Sequence, residues 1–373
     1  MKVPFVNLGA QFSSLEKELV DAFVAVGRSG QYVLGDEVTR FENALSMLCE
    51  TQYAISVANG TDALVLALRA LGIGPGDEVI TAPNSFIASA GAIAQIGARI
   101  RFADVGDDYN LDPVQVAEAI TPRTRAVIAV HLTGNPADMD ALKAVIGDRD
   151  IALIEDAAQA IGARYRGRAV GSLGDIACFS LHPLKNFHLL GDAGFITTSD
   201  PALAERLFRL RNHGLLGRDE SIEWGQNSRL DAMQAAFGNI KLRHFPAWTE
   251  RFREIALAYR NALSDVALCP LFRESDTPVY HNFVIQVPQR EAVMTALAEV
   301  GVETKVHYPI PIHRMRAAAD LGYREGDFPR AEAQASRILS LPIYPELTDA
   351  QVEYVSEQLR HILSQLGETA YGT

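Results

Sequence analysis

Residues 151–194 read IALIEDAAQAIGARYRGRAVGSLGDIACFSLHPLKNFHLLGDAG, and they restrict the fold more than any other stretch of the chain. The first four residues are all apolar, and a short unbroken apolar run is the pattern of a strand covered on both faces, as in parallel sheets. Glu155 and Asp156 close the run, so a carboxylate stands at the C-terminal end of a strand, where open α/β sheets bind their ligands. A second short strand, 175–181, feeds Ser180, His182 and Lys185 into the turn beyond it. Gly191-Asp192-Ala193-Gly194 then turns the chain into a third strand, 195–198. The same rhythm holds upstream. Strands are predicted at 53–57, 78–82, 99–103 and 126–132, with helices after Thr61, after Pro113 and over 138–146. Such alternation predicts a mostly parallel sheet with helices on both faces.

One segment therefore carries an acid (Asp156), an amide (Gln159), a hydroxyl (Ser180) and a lysine (Lys185) to neighbouring strand ends. That set meets the needs of pyridoxal phosphate, which requires a lysine amine to hold its aldehyde and an acidic partner for its ring nitrogen. Lys185 is the candidate amine, because a lysine becomes nucleophilic when burial or nearby cations lower its pKa. Asp156 is the candidate partner, since an opposite charge keeps the ring nitrogen protonated. Gln159 could donate its amide to the phenolic oxygen of the ring, and Ser180 could bond the phosphate. Each has an ordinary reading when taken alone: strand-end aspartates cap helices or bind magnesium, and loop lysines, serines and glutamines are mostly solvated. The turn Asn59-Gly60-Thr61 opens a helix whose free N–H groups, dipole and Thr61 hydroxyl suit an anion, although every helix start shares the first two features.

The segments EDAAQAIGA, FSLHPLKN, GDAG, RNHG and NSRLDAMQAA occur in this order, between VPFVNL near the start and LSLPIYPELT near the end. In them the chain resembles the DegT/DnrJ/EryC1/StrS sugar aminotransferases, a branch of the aspartate-aminotransferase-like, fold-type I pyridoxal phosphate enzymes. Ala193 departs from the GDGG that is usual there. The resemblance implies an α/β fold with a mostly parallel seven-stranded sheet flanked by helices, and a smaller α+β C-terminal domain. It places the cofactor phosphate at Gly60 and Thr61 and an aromatic ring, Phe86, on the pyridine. Asn227 would reach across the interface of a homodimer with shared active sites to the neighbouring cofactor. Read without the resemblance, Phe86 is a core phenylalanine and Asn227 a helix cap.

The resemblance further implies transfer of an amino group from L-glutamate to a nucleotide-linked ketosugar, for surface polysaccharide or glycosylated natural products. SGQYVLG, the histidine of SLHPLKN and KVHYPIPIH resemble the branch that acts on 3-ketosugars, carried on dTDP or UDP. His182, His307 and Tyr308 are then candidate sugar contacts, with a structural role open for the histidines. The alternatives are a 4-ketosugar aminotransferase, a sugar dehydratase with the same cofactor, and a non-catalytic regulatory protein that binds it. Dehydratases of this kind carry histidine where this chain has Lys185.

The domain change is expected near Phe245 and Pro246, giving a large unit 1–245 with an N-terminal arm and a small unit 246–373. In the small unit, strands are predicted at 283–287, 303–306 and 341–344 and helices at 291–300 and 349–363, with a loose tail from Gly367. An irregular loop is expected over 215–225. The formal net charge of −12 argues against nucleic acid or an anionic membrane as partner. Cys49, Cys178 and Cys269 form no CxxC pair, which points away from a disulfide framework and a zinc site, and no metal is expected. MKVPFVNLGAQ lacks the apolar core of a signal peptide, and no apolar run reaches eighteen residues, so the expectation is a cytoplasmic protein without a membrane span. No GxGxxG turn follows the first strand, which removes a nicotinamide-binding reading.

Overall fold

The computed structural model describes residues 1–366. Seven strands form the main sheet: β1 (Tyr53–Val57), β2 (Glu78–Thr81), β3 (Arg99–Phe102), β4 (Thr124–Val130), β5 (Ala152–Asp156), β6 (Ile176–Ser180) and β7 (Gly194–Thr198). Their spatial order is β1-β7-β6-β5-β4-β2-β3. The pairs β2–β3, β2–β4, β4–β5 and β5–β6 are parallel, and β7 runs antiparallel to both neighbours. The C-terminal ends of β1, β4, β5 and β6 and the beginning of β7 thus share one edge. Val130 pairs with Asp156, Asp156 with Cys178, and Gly194 with both Val57 and Ser180.

Successive strand residues enter different core layers because their side chains leave opposite faces of the sheet. Val127, Ala129, Leu153, Ala177 and Phe179 pack into one core layer. Their neighbours Ala126, Ile128, Ile154, Ile176 and Cys178 pack into the other. Both layers are dry, which is why these strands read as unbroken apolar runs. The second layer is closed by α3 (Gly60–Ala70), whose residues from Ala63 to Leu68 are all buried. Further helices are α1 (Leu8–Ser29), α2 (Asp36–Leu48), α4 (Ile87–Gln95), α5 (Pro113–Ala119), α6 (Met139–Ile146) and α7 (Pro201–Leu210).

One helix, α8 (Ala232–Leu263), runs unbroken through the expected domain change and carries Pro246 in its interior. Phe245 belongs to a core layer of the large sheet, and Phe252 to a separate core in the C-terminal part. That second core is built on α8, α9 (Arg290–Glu299), α11 (Asp349–Gln365) and the antiparallel pair β8 (Phe283–Gln286) and β9 (Ile338–Leu341). A helix α10 (Pro329–Arg337) leads into β9. The N-terminal arm joins the same core: Val3 bridges Val302, with Val3 N donating to Gly301 O and Glu303 N to Val3 O.

Two strand expectations shift. The strand predicted over 341–344 lies at Ile338–Leu341, because Pro342 has no N–H to donate and stops the ladder. Residues 303–306 form no strand; Lys305 makes a single bridge to Ser340. The expected irregular loop over 215–225 contains a small antiparallel ladder, with Leu215–Leu216 against Glu220–Ser221. The predicted tail from Gly367 lies outside the described residues.

Candidate active site

A cavity of about 420 Å³ opens at the shared strand edge. Gly60, Thr61, Phe86, Asp156, Gln159, Ser180, His182, Lys185, His307 and Tyr308 all line it, so ten sequence candidates meet in one place. Asn227 does not. It forms an isolated bridge with Asn212, and its expected role as a helix cap falls to Asp231, the residue before α8.

The acid is held from α4. Asp156 ends β5 and is buried, with its Oδ2 accepting from Ser89 Oγ at 2.6 Å and its Oδ1 from Ala158 N at 3.3 Å. Ser85 Oγ donates to Ser89 Oγ at 3.0 Å, so a short hydroxyl chain fixes the carboxylate. Gln159 is oriented by Thr133, whose N–H donates to Oε1 at 2.6 Å, which leaves Nε2 as the outward donor, 3.4 Å from the Tyr308 hydroxyl. Lys185 follows β6 in a turn closed by Lys185 N donating to His182 O. Burial pushes its ammonium down to about 8, against the opposing pull of the Asp156 charge. At pH 7 about a tenth of the amine is therefore the free base, far more than at the ordinary value of 10.5.

At the opposite wall, α3 begins with Asn59 as cap, whose Oδ1 accepts from Asp62 N at 2.8 Å. The N–H groups of Gly60 and Thr61 are among those a helix leaves without internal acceptors. Glycine at position 60 is a steric requirement: a Cβ there would stand 2.7 Å from Ser180 Cβ. Gly194 is required for a similar reason, since a Cβ would come within 2.6 Å of the Asn59 carbonyl oxygen. Ala193, between the two glycines of the turn, is not among the described non-glycine residues with positive φ, and its carbonyl accepts from Leu181 N. The methyl group therefore fits the turn without backbone strain.

The mouth is aromatic. Phe86 is 52% exposed and its ring lies 5.7 Å from that of Tyr308. Burial, with the Asp156 charge, raises the Tyr308 phenol to about 12, so it stays a donor. His307 is pushed down to about 4 by burial and by Lys185, and its Nδ1 lies 2.9 Å from Ser340 Oγ. His182 is exposed, and its Nδ1 accepts from Leu184 N at 3.2 Å. Asn59, part of the turn singled out in the sequence, lines the cavity too, and sequence reasoning missed Phe5, Ser89, His281 and Asn282, which also line it. Asn59 was legible as a residue type that caps helices; the others carry no local signal.

Among the described residues lining the cavity, Lys185 is the sole lysine or arginine. No described group of three or more His, Cys, Asp or Glu side chains is placed to hold a metal. No described helix is long and apolar enough to cross a membrane.

Residues 13–360 match the DegT/DnrJ/EryC1/StrS aminotransferase family. The chain is 43% identical over 362 residues to a dTDP-3-amino-3,4,6-trideoxy-alpha-D-glucose transaminase of Streptomyces venezuelae, covering 96% of each chain. It is 41% identical over 364 residues to a pleiotropic regulatory protein of Geobacillus stearothermophilus, covering 96% of this chain and 98% of the relative. Among solved structures, NtdA of Bacillus subtilis with bound cofactor PMP superposes with a TM-score of 0.92 at 31% identity, covering 98% of this chain and 86% of the other.

Proposed function

The chain belongs to the DegT/DnrJ/EryC1/StrS aminotransferase family, and from that premise we propose that it moves the amino group of L-glutamate to carbon 3 of a nucleotide-linked ketohexose, using pyridoxal phosphate. The observation that carries this is the meeting of Lys185, Asp156, Gln159 and the start of α3 in one cavity. The 3-keto assignment draws on the Streptomyces relative, whose name describes a 3-amino sugar on dTDP. UDP is the other nucleotide carrier in this reading.

The residues fit the cofactor on steric and chemical grounds. The missing Cβ of Gly60 lets Ser180 pack against the start of α3, so a hydroxyl and free backbone N–H groups stand together where a phosphate would bind. Asp156 retains acceptor capacity for a protonated ring nitrogen, Gln159 presents an N–H donor, and Phe86 would cover a ring face. When bound, the cofactor supplies an electron sink for the bonding pair of the donor's α-carbon. The protein's own part is proton handling and placement. Lys185, whose ammonium gives up its proton near pH 8, would take the α-proton and return it two bonds away, across the amino nitrogen; a positioned base of this kind contributes about 10²- to 10⁴-fold. Tyr308, His307 and His182 stand where the sugar would enter.

Glutamate and a sugar nucleotide both bring anionic groups, and one lysine cannot serve them all. That shortage among the described lining residues supports a homodimer in which the partner supplies further contacts, Asn227 included. A large unit 1–245, a small unit 246–373 and a cytoplasmic location belong to the same reading.

The test is the absorption spectrum of the purified protein before and after L-glutamate. A visible band from the lysine-held cofactor that disappears with glutamate is the expected result. A band indifferent to glutamate favours a dehydratase, or the regulatory role suggested by the name of the Geobacillus relative. No band after adding pyridoxal phosphate ends the proposal.

A further inference from the structure

The start of α4 does two things at once. Phe86, the residue before the helix, lines the cavity, while Ser85 and Ser89 are buried beside it, each 1% exposed. Ser89 Oγ stands 2.6 Å from Asp156 Oδ2, Ser85 Oγ 3.0 Å from Ser89 Oγ, and Phe86 O 3.1 Å from Ser85 Oγ. These four groups make a chain that runs from the carboxylate to a backbone carbonyl.

Each hydroxyl has one proton to give and can also accept, so the chain can be set in either direction. Set outward, a protonated Asp156 donates to Ser89, Ser89 to Ser85 and Ser85 to Phe86 O. Set inward, Ser85 donates to Ser89 and Ser89 to a charged Asp156. Phe86 O keeps a partner in both settings, because Ser89 N donates to it at 3.2 Å. The inward setting is the stronger. Its last bond, at 2.6 Å, has the length of a hydroxyl bonded to a charged oxygen, roughly 2.5–2.7 Å. Such bonds are about twice as strong as the neutral one that the outward setting gains at Phe86 O. The other bond to Asp156, from Ala158 N, is 3.3 Å long and local to its own turn.

Charge compensation at Asp156 is otherwise thin. Lys185 is the sole lysine or arginine among the described residues lining the cavity, and as a base it carries no charge. In the pyridoxal phosphate reading, on which this inference rests, Asp156 is the partner of the ring nitrogen and one proton is shared by the pair. With that proton on nitrogen the ring draws electrons; with it on oxygen both partners are neutral and the ring draws them weakly. A hydrogen bond to the charged form of an acid favours that form. We propose that Ser89, backed by Ser85, is the positioning residue that keeps this proton on the ring nitrogen, by holding Asp156 as the carboxylate.

Nitrogen NMR of the enzyme loaded with cofactor labelled at the ring nitrogen reads the place of the proton without turnover. Wild type is expected to give the resonance of a protonated ring. In Ser89→Ala the ratio of ring-protonated to carboxyl-protonated forms should fall by about 10- to 100-fold, the worth of a hydrogen bond to a charged group, and the resonance should move toward neutral pyridine. The fall in kcat should lie within the same range, at an unchanged half-saturating glutamate concentration. A Ser89→Ala enzyme that keeps the protonated resonance overturns the proposal, whether or not its rate falls, and so does a loss confined to glutamate affinity. Ser85→Ala is expected to move the resonance in the same direction by less. It decides the matter alone should Ser89→Ala not fold, an unmoved resonance again overturning the proposal. If wild-type enzyme binds the cofactor with an unprotonated ring nitrogen, this inference falls and the cofactor assignment stands; if it binds no cofactor, both fall.

Discussion

Glu155 and Asp156 are adjacent on β5 yet belong to opposite faces of its end, and the two faces are built on contrary plans. Glu155 is fully buried and accepts four hydrogen bonds: Leu173 N and Gly174 N on Oε1, Gly171 N and the His131 ring on Oε2, all between 2.7 and 2.9 Å. His131 Nδ1 is itself occupied by Ala137 N, so its Nε2 carries the hydrogen that Glu155 accepts. A carboxylate offers about four acceptor places, and here all are filled. Asp156 fills two, one of them at 3.3 Å, and keeps the rest toward the cavity. The saturated carboxylate ties the turn 171–174 to the sheet. The unsaturated one is available to a ligand. Spare bonding capacity, more than charge or burial, separates the functional acid from the structural one.

The largest effect that sharpens this contrast comes from removing the lysine that shares the cavity with Asp156. Lys185→Ala is expected to abolish formation of 2-oxoglutarate from L-glutamate; turnover at a normal rate would break the assignment of the cavity. Asp156→Asn keeps shape and removes the charge. It should lower kcat by about 10²- to 10³-fold, as removal of a preorganised electrostatic partner does, with little change in a thermal melt. Glu155→Gln should do the reverse. Its lost acceptors orphan buried N–H groups, and urea unfolding is expected to show a loss of about 2–3 kcal/mol, while the folded enzyme retains kcat within a few-fold. Equal kinetic damage from both substitutions would erase the distinction.

The smallest effect is a pH midpoint. In cofactor-free protein, only the free base of Lys185 condenses with an aldehyde, so the rate should rise with pH and level off above about 8 instead of near the ordinary 10.5. The Asp156 charge opposes the lowering caused by burial, so Asp156→Asn should move the midpoint below 8. Glu155→Gln should leave it in place. An unmoved midpoint in the Asp156 variant would mean that the two side chains do not sense one another.

Much of this was readable in the sequence because strand, end and turn are local events. The all-apolar runs mark strands covered twice, and a polar residue immediately after such a run has only the sheet edge to occupy; that logic reaches Asp156, Ser180 and Lys185. Ser89 was not readable, since its bond to Asp156 joins residues on α4 and β5 that only packing brings together. Phe5 and His281 arrive from the N-terminal arm and the C-terminal part for the same reason. The strand expected over 341–344 lies earlier in the chain because ILSLPIY is apolar but for Ser340 and periodicity alone does not say where pairing stops. Glu155 carried no mark of its four partners, three of which are backbone groups of one later turn.

The strand order has a consequence for how the protein is born. β1 leaves the ribosome early, but its sheet partner is β7, and Val57 must wait for Gly194 before its ladder can form. At synthesis rates of about 5–20 residues per second that wait is on the order of 10 s. For that interval a five-residue, mostly apolar segment has no sheet to join, and an unpaired strand is a template for other chains. Expression that slows translation across residues 60–190 lengthens the exposure, and co-produced chaperone that covers nascent apolar segments shortens it.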